Sequence, residues 1–180
     1  MLINDGWCFH KENEAEEKVT IPHTYNAVDG QSGTSMWRGK GYYKRACDFQ
    51  KTDLEKTIYL EIGAAAMNSI VYINGKRIYE NTCPYAMYRV ALNEHIIEGT
   101  NLLEIVTDNS ATDAIYPQMA DFSFYGGIYR DVKLVYAPKI HFDYLDGSRS
   151  GVQVRTKKLE EGKWEVKAEG CVINLSLIHI

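Results

Sequence analysis

From Ile128 to Tyr136 the side chains alternate without a break: Ile128, Arg130, Val132, Leu134 and Tyr136 fall to one side, Tyr129, Asp131, Lys133 and Val135 to the other. A period of two belongs to an extended strand, and Gly126-Gly127 supplies a sharp approach to it. The same rhythm recurs from Thr57 to Ile62, with Ile58, Leu60 and Ile62 on one face. It recurs from Asn101 to Asp108, where Leu103 and Ile105 oppose Leu102, Glu104 and Val106; this second run lacks a polar face, which predicts cover on both sides. Ser69 to Tyr79 is predicted to be a hairpin about Asn74-Gly75, because Asn-Gly tolerates the positive φ of the type I′ turn that matches strand twist. Asn93 to Gly99 carries a capping residue, about one turn and a terminating glycine, which predicts a short helix between two strands. Short strands separated by turn residues, with no sustained helical period, specify an all-β chain folded as a sandwich or jelly roll.

The length of 180 residues allows one domain with a sizeable core and a little more. A boundary is expected after Tyr136-Ala137-Pro138: Asp143 to Gly151 is rich in Asp, Gly and Ser, and Gly151 to Arg155 and Trp164 to Cys171 start new strand patterns. The net charge of -4 and the scatter of lysines and arginines give no basic field for phosphates, so nucleic acid is excluded as a partner. No apolar run approaches the ~20 residues of a membrane helix, and Met-Leu-Ile-Asn-Asp-Gly-Trp has neither a basic lead nor a hydrophobic signal core. The expectation is a soluble, cytoplasmic protein without a membrane partner. Cys8, Cys47, Cys83 and Cys171 lie far apart with no Cys-x-x-Cys pair, which argues for small apolar groups over a metal or redox motif.

Five pieces of sequence occur in a telling order: Ile21-Pro-His-Thr-Tyr-Asn26, Gly41-Tyr-Tyr-Lys-Arg45, Val71-Tyr-Ile-Asn-Gly-Lys76, Thr107-Asp-Asn-Ser110 and Asp121-Phe-Ser-Phe-Tyr-Gly-Gly-Ile-Tyr-Arg-Asp-Val132. Together they resemble the N-terminal sugar-binding jelly roll of glycoside hydrolase family 2, which holds large β-galactosidases, β-glucuronidases and β-mannosidases. The resemblance runs from about Asn4 to about Val135 and departs from the family at Asn81 to Tyr88, where many relatives carry a Gly-Gly-Tyr turn. It implies a galactose-binding-like jelly-roll β-sandwich over residues 1–142. An immunoglobulin-like domain begins at this place in the family, so 143–173 is expected to be a linker and its incomplete start, since such a sandwich takes ~100 residues. Residues 174–180, Asn-Leu-Ser-Leu-Ile-His-Ile, look like the translated read-through of a sequencing adapter and are set apart as a non-native tail; a genuine apolar strand is the other reading.

Retaining glycoside hydrolysis needs two carboxylates about 5 to 5.5 Å apart. Asp108 and Asp113 flank one loop and Asp121 and Asp131 bracket the glycine turn, but nothing in the sequence forces a pair together. By the resemblance, the catalytic glutamates belong to a later (β/α)₈ barrel of ~250 residues, so this chain is expected to contain no catalytic residue and to be inactive alone. Asp121 is then the main substrate-binding candidate: it aligns with the aspartate that reaches into the active-site mouth from the jelly roll and contacts the terminal sugar. In β-galactosidases that contact can involve a bound monovalent cation, so the resemblance admits Asp121 as a ligand to such a cation, and it admits a Na or Mg ion in the full-length enzyme. Asn26, Asp29 and Arg38 lie in the polar segment from Tyr25 to Lys40, where relatives place another substrate-side loop, and are further candidates. Phe122, Phe124, Tyr125, Gly126 and Gly127 are expected to support the Asp121 loop from beneath. His23 lacks a visible partner and is expected to pack.

The leading expectation is a fragment of a family 2, β-galactosidase-like enzyme of carbohydrate metabolism. Its substrate would be a β-linked glycoside, its partner the barrel of the full-length chain, and its assembly a homo-oligomer in the family's manner. A freestanding carbohydrate-binding module and a purely structural domain are the alternatives. The first would bind sugar alone; the second would be indifferent to Asp121.

Overall fold

The computed structural model describes residues 1–113, 115–116, 121–145 and 151–176. Its strands are β1 (Trp7–Lys11), β2 (Glu17–Val19), β3 (His23–Thr24), β4 (Lys40–Phe49), β5 (Thr57–Ile62), β6 (Asn68–Ile73), β7 (Lys76–Asn81) and β8 (Tyr88–Ala91). They continue with β9 (Gly99–Asp108), β10 (Gly127–Ile128), β11 (Val132–Ala137), β12 (Ile140–Phe142), β13 (Val152–Glu160), β14 (Lys163–Gly170) and β15 (Val172–Asn174), and α1 (Lys51–Leu54) is a single helical turn after β4. A six-stranded sheet runs β2-β1-β4-β9-β6-β7 and a three-stranded sheet runs β11-β5-β8.

The alternation in sequence decides which faces meet. Phe9, Tyr43, Val71, Leu103 and Ile105 from the large sheet share one buried cluster with Ile58, Leu60, Ile62, Val132 and Leu134 from the small one. Two sheets therefore pack face to face around a common core, the β-sandwich expected. Trp7 fills its middle fully buried, and its indole N–H donates to the Ile3 carbonyl at 2.7 Å, as a buried indole requires. The start of the chain runs beside β11: Ile3 N donates to Val132 O and Leu134 N to Met1 O.

Asn74 and Gly75 adopt φ of 52° and 77°, the pair of positive values that a type I′ turn needs, and join β6 to β7 as predicted. Three expectations are corrected. The run from Ile128 is two strands: β10 pairs with β3, the chain leaves the sheet over Tyr129 to Asp131, and β11 then pairs with β5. Arg130 is consequently exposed and does not share the buried face of Val132. Asn93 to Gly99 forms a turn instead of a helix, because the Asn93 side chain accepts from Ile58 N and donates to Lys56 O, and Asn101 binds Ile97 and Gly99 from the other side. Those amides tie the segment to neighbouring strands, where a cap would have turned inward along a helix. On β9 only one face is covered: Leu103 and Ile105 are buried, while Leu102 is 41% exposed.

β5 is covered on both faces. Its outward Tyr59 is 1% exposed because His141 and Tyr144 pack edge-on against its ring. The His141 ring donates from Nδ1 to Pro138 O at 2.6 Å, and its Nε2 then accepts from the Tyr59 hydroxyl at 2.9 Å. Beyond this joint, β12 pairs with β15 and β13 with β14 in two small sheets apart from the sandwich. In the β13–β14 hairpin, Val154 opposes Ala168, Thr156 opposes Val166 and Lys158 opposes Trp164, whereas Arg155 opposes Lys167 and Lys157 opposes Glu165. One face is thus largely apolar and the other charged, and Val154, Trp164 and Val166 are all exposed. Asn174 belongs to β15; residues 177–180 of the suspected tail lie outside the described residues. No helix among the described residues is long and apolar enough to cross a membrane.

Leu103→Ala should lower unfolding free energy by about 2–5 kcal/mol, and Leu102→Ala by less than about 1 kcal/mol. Denaturant unfolding of the two variants checks this; equal losses would show the outer face of β9 to be covered.

Candidate functional site

At one end of the sandwich the chain brings three loops together: the segment after β3, the residues that follow β9, and the segment that precedes β10. Two asparagines join them, and both are completely buried. Asn26 Nδ2 donates to Trp37 O and to Phe124 O, both at 3.1 Å, and Gly126 N donates to Asn26 Oδ1 at 2.9 Å. Asn109 Nδ2 donates to the same two carbonyls, at 3.5 Å to Trp37 O and 2.9 Å to Phe124 O, while Gly39 N donates to Asn109 Oδ1 at 2.8 Å. Each amide has two N–H donors and each carbonyl two lone pairs, so the donors and acceptors match in number.

Glycine is required where the loop returns. A Cβ on Gly126 would lie 2.2 Å from Tyr25 Cζ, and a Cβ on Gly127, whose φ is +123°, would lie 2.4 Å from the His23 carbonyl oxygen. Tyr25 N donates to Gly126 O, the Tyr25 hydroxyl donates to Gly39 O, and Phe9 stacks on the other side of the Tyr25 ring. Burial pushes the Tyr25 hydroxyl far above its usual pKa, so it stays a neutral donor. Asp29 closes the segment before β4 by accepting from Trp37 N at 2.9 Å.

The candidates drawn from the sequence separate into two groups. Asp121 is exposed at the start of the loop, and no hydrogen bond or ion pair to it arises among the described residues. Asn26 and Asp29 spend their side chains on backbone groups, and Arg38 donates from Nε to Asn109 O at 2.8 Å and lies 4.6 Å from the Phe124 ring centre. Asn26 and Arg38 thus meet the loop at Phe124, and Asp29 fastens its own segment, where the resemblance had placed all three on an open substrate side. Phe124, one of the residues expected beneath the loop, packs with Met67 and Ile115. Phe122 and Tyr125 are 54% and 48% exposed, with the Phe122 ring centre 5.3 Å from that of Phe124. Gly126 and Gly127 are buried under the turn. The loop where the family resemblance weakens also belongs here, because Tyr129 Oη donates to Pro84 O and Arg130 donates to Tyr85 O. The asparagine at position 109 lies inside one of the five family motifs, but one sequence carries no mark that separates a buried amide from an exposed one.

A Na or Mg ion at Asp121 would need several oxygen ligands. No group of three or more His, Cys, Asp and Glu able to hold a metal occurs among the described residues. Asp121 would supply one carboxylate, and the remaining ligands would have to be carbonyl, hydroxyl or water oxygens.

His23, at the start of β3, packs edge-on against Phe9, and its Nδ1 is 2.9 Å from the Tyr43 hydroxyl. Burial lowers its pKa from the ordinary 6.5; Glu17 acts against that shift and Lys11 with it, both more weakly. A base with a depressed native pKa binds more protons when unfolded, so its neutral packing stabilises fully above about pH 6.5 and is lost as the pH falls below that toward the native value. Replacing His23 by Gln should therefore flatten the fall in Tm between about pH 7 and pH 5; parallel pH profiles would reject this. Asn26→Ala should cost about 1–3 kcal/mol by leaving Gly126 N and the shared carbonyls short of partners. Asn26→Asp, which turns a carboxylate oxygen toward those two carbonyls, should cost more than Ala, again by denaturant unfolding.

Residues 5–138 match the profile of the glycosyl hydrolases family 2, sugar binding domain. A β-glucuronidase of Bacteroides fragilis is 29% identical over 98% of this chain and 26% of its own length. A β-galactosidase of Thermoanaerobacterium thermosulfurigenes is 28% identical over 73% of this chain and 20% of its own. The crystal structure of an FMN-binding β-glucuronidase from Faecalibacterium prausnitzii L2-6 superposes with a TM-score of 0.86 and 32% identity, covering 97% of this chain and 28% of that one. The chain spans about a quarter of the length of the curated relatives it matches. With the profile covering most of its length and the sandwich in place, the chain belongs to glycosyl hydrolase family 2, as the sugar-binding domain of that family.

Proposed function

We propose that this chain is the N-terminal part of a β-glycosidase and that its Asp121 loop contacts the terminal sugar of a β-linked glycoside held in the catalytic barrel of the full-length enzyme. The observation that carries this reading is the contrast within one loop: Phe124 to Gly126 is pinned by two saturated buried amides, while Asp121 a few residues earlier remains exposed. Anchoring of the loop at Phe124 to Gly126 suits positioning, because a loop partly held before substrate arrives loses less freedom on binding.

The chemistry asked of Asp121 is discrimination. An ionised carboxylate only accepts hydrogen bonds, so it suits sugar hydroxyls. Once a barrel closes over it, a sugar lacking the matching hydroxyl would leave a desolvated carboxylate unpaired, at a cost of about 1–3 kcal/mol or more. Proton transfer and nucleophilic attack on the glycosidic bond would then fall to carboxylates of the barrel. Glucuronide and galactoside are both compatible with this role.

Residues 143–173 fit the same reading as the opening of a further domain. The apolar face of the β13–β14 hairpin is exposed, and a second sheet laid on Val154, Trp164 and Val166 would bury it as sandwiches do.

Asp121→Asn in the full-length enzyme should lower kcat/KM about 10- to 100-fold, the equivalent of about 1.4–2.8 kcal/mol, while Tm changes little. Unchanged kinetics accompanied by a loss of stability would assign Asp121 to the loop's own structure and overturn the proposal.

A further inference from the structure

The outward face of the Asp121 loop borders a pocket of about 380 Å³, within the range of small-molecule sites. Ala66 and Met67, both buried, contribute to its lining with Tyr85, Phe122, Tyr125 and Tyr129, and Arg130 is its one charged member. Tyr85, Phe122 and Tyr125 are 52%, 54% and 48% exposed, so three half-open aromatic residues gather at one pocket. Tyr129 already spends its hydroxyl proton on Pro84 O, and the Arg130 guanidinium lies 5.6 Å from the Tyr129 ring centre while donating to Tyr85 O.

Chemistry selects the kind of ligand. A sugar ring placed wholly in this pocket would surrender water to its hydroxyls and find mostly carbon and sulfur in return, which is unfavourable. A planar aromatic group would lose little hydration and gain ring faces, ring edges and the Met67 thioether. We propose that this pocket receives an aromatic leaving group of a β-glycoside whose sugar lies at Asp121. This rests on the assignment of Asp121 to the sugar, since the loop from Asp121 to Tyr125 joins the two positions. Asp121 would read the glycone and the tyrosine pocket the aglycone, so the domain would favour aryl over small alkyl glycosides.

The pocket opens on the surface of this chain, so a direct binding measurement on the chain tests it. The 180-residue chain is titrated with phenyl β-D-glucuronide, phenyl β-D-galactoside and methyl β-D-glucuronide while its tyrosine ring resonances are followed by NMR. Both phenyl glycosides should shift the signals of Tyr85, Tyr125 and Tyr129 and saturate in the millimolar range, with the methyl glycoside at least about tenfold weaker. Tyr125→Ala should weaken phenyl binding about five- to tenfold, with an unchanged indole signal from buried Trp7 reporting an intact fold. Should that variant unfold, Tyr85→Ala replaces it, because Tyr85 contributes its carbonyl and not its side chain to the bond with Arg130. Equal affinity for phenyl and methyl glycosides, or tyrosine signals that do not move, would overturn the inference. That failure is separable from failure of the sugar contact: the phenyl-over-methyl preference is read in this chain with Asp121 intact, whereas the sugar contact is read as the effect of Asp121→Asn on kcat/KM in the full-length enzyme.

Discussion

The site end of this domain depends on two buried primary amides. Burying an asparagine without partners is costly, and Asn26 and Asn109 escape that cost only because Trp37 O, Phe124 O, Gly39 N and Gly126 N are all placed to receive them. The arrangement is cooperative in a geometric sense. Moving the Phe124 carbonyl disturbs both amides at once, and each amide in turn fixes the segment from Asn26 to Gly39. Three loops that are distant in sequence are thereby held as one body, on which the two glycines allow a closer approach to Tyr25 and His23 than any side chain would permit.

The sandwich supplies the platform for that body. β4 and β9 pair over their whole lengths, from Lys40 opposite Asp108 to Phe49 opposite Gly99, so Asn109 leaves the end of β9 beside Gly39 at the start of β4. The sheet register therefore sets which carbonyl Asn109 meets. A slip of one residue would turn Leu103 and Ile105 out of the core and remove Asn109 from Gly39 at the same time. Core burial and loop geometry are thus specified by the same pairing.

Much of this was legible in the residues. Strands with one apolar face, such as Thr57–Ile62, announce their partners, and Asn74-Gly75 announces its turn because backbone sterics act locally. Legibility failed where a distant partner decided the outcome. Asn93 carried a cap signal that Ile58 and Lys56 overrode, and β11 could not be separated from β10 because the change of sheet leaves the alternation almost intact. Asn26 looked like a residue for substrate, since a polar side chain in a polar loop has the same signature whether it faces water or two carbonyls. The family motifs located the loop correctly but did not say which of its polar groups were already spent.

That distinction between spent and unspent groups is what gives the site its direction. Asn26, Asp29, Arg38 and Asn109 have their donors or acceptors turned toward the backbone, and Tyr129 has given its hydroxyl to Pro84. What remains outward is the Asp121 carboxylate and the ring surfaces of Phe122, Tyr125 and Tyr85. A carboxylate discriminates by hydrogen bonding and an aromatic surface by shape and dispersion, so under the proposed reading the two would make separate demands on the two ends of a glycoside. A loop free to move would have to be ordered by its ligand, with part of the binding energy consumed in ordering it. Here the buried amides fix Phe124 and Gly126 beforehand, so under the proposed reading that ordering cost would already be met in part at this end of the segment.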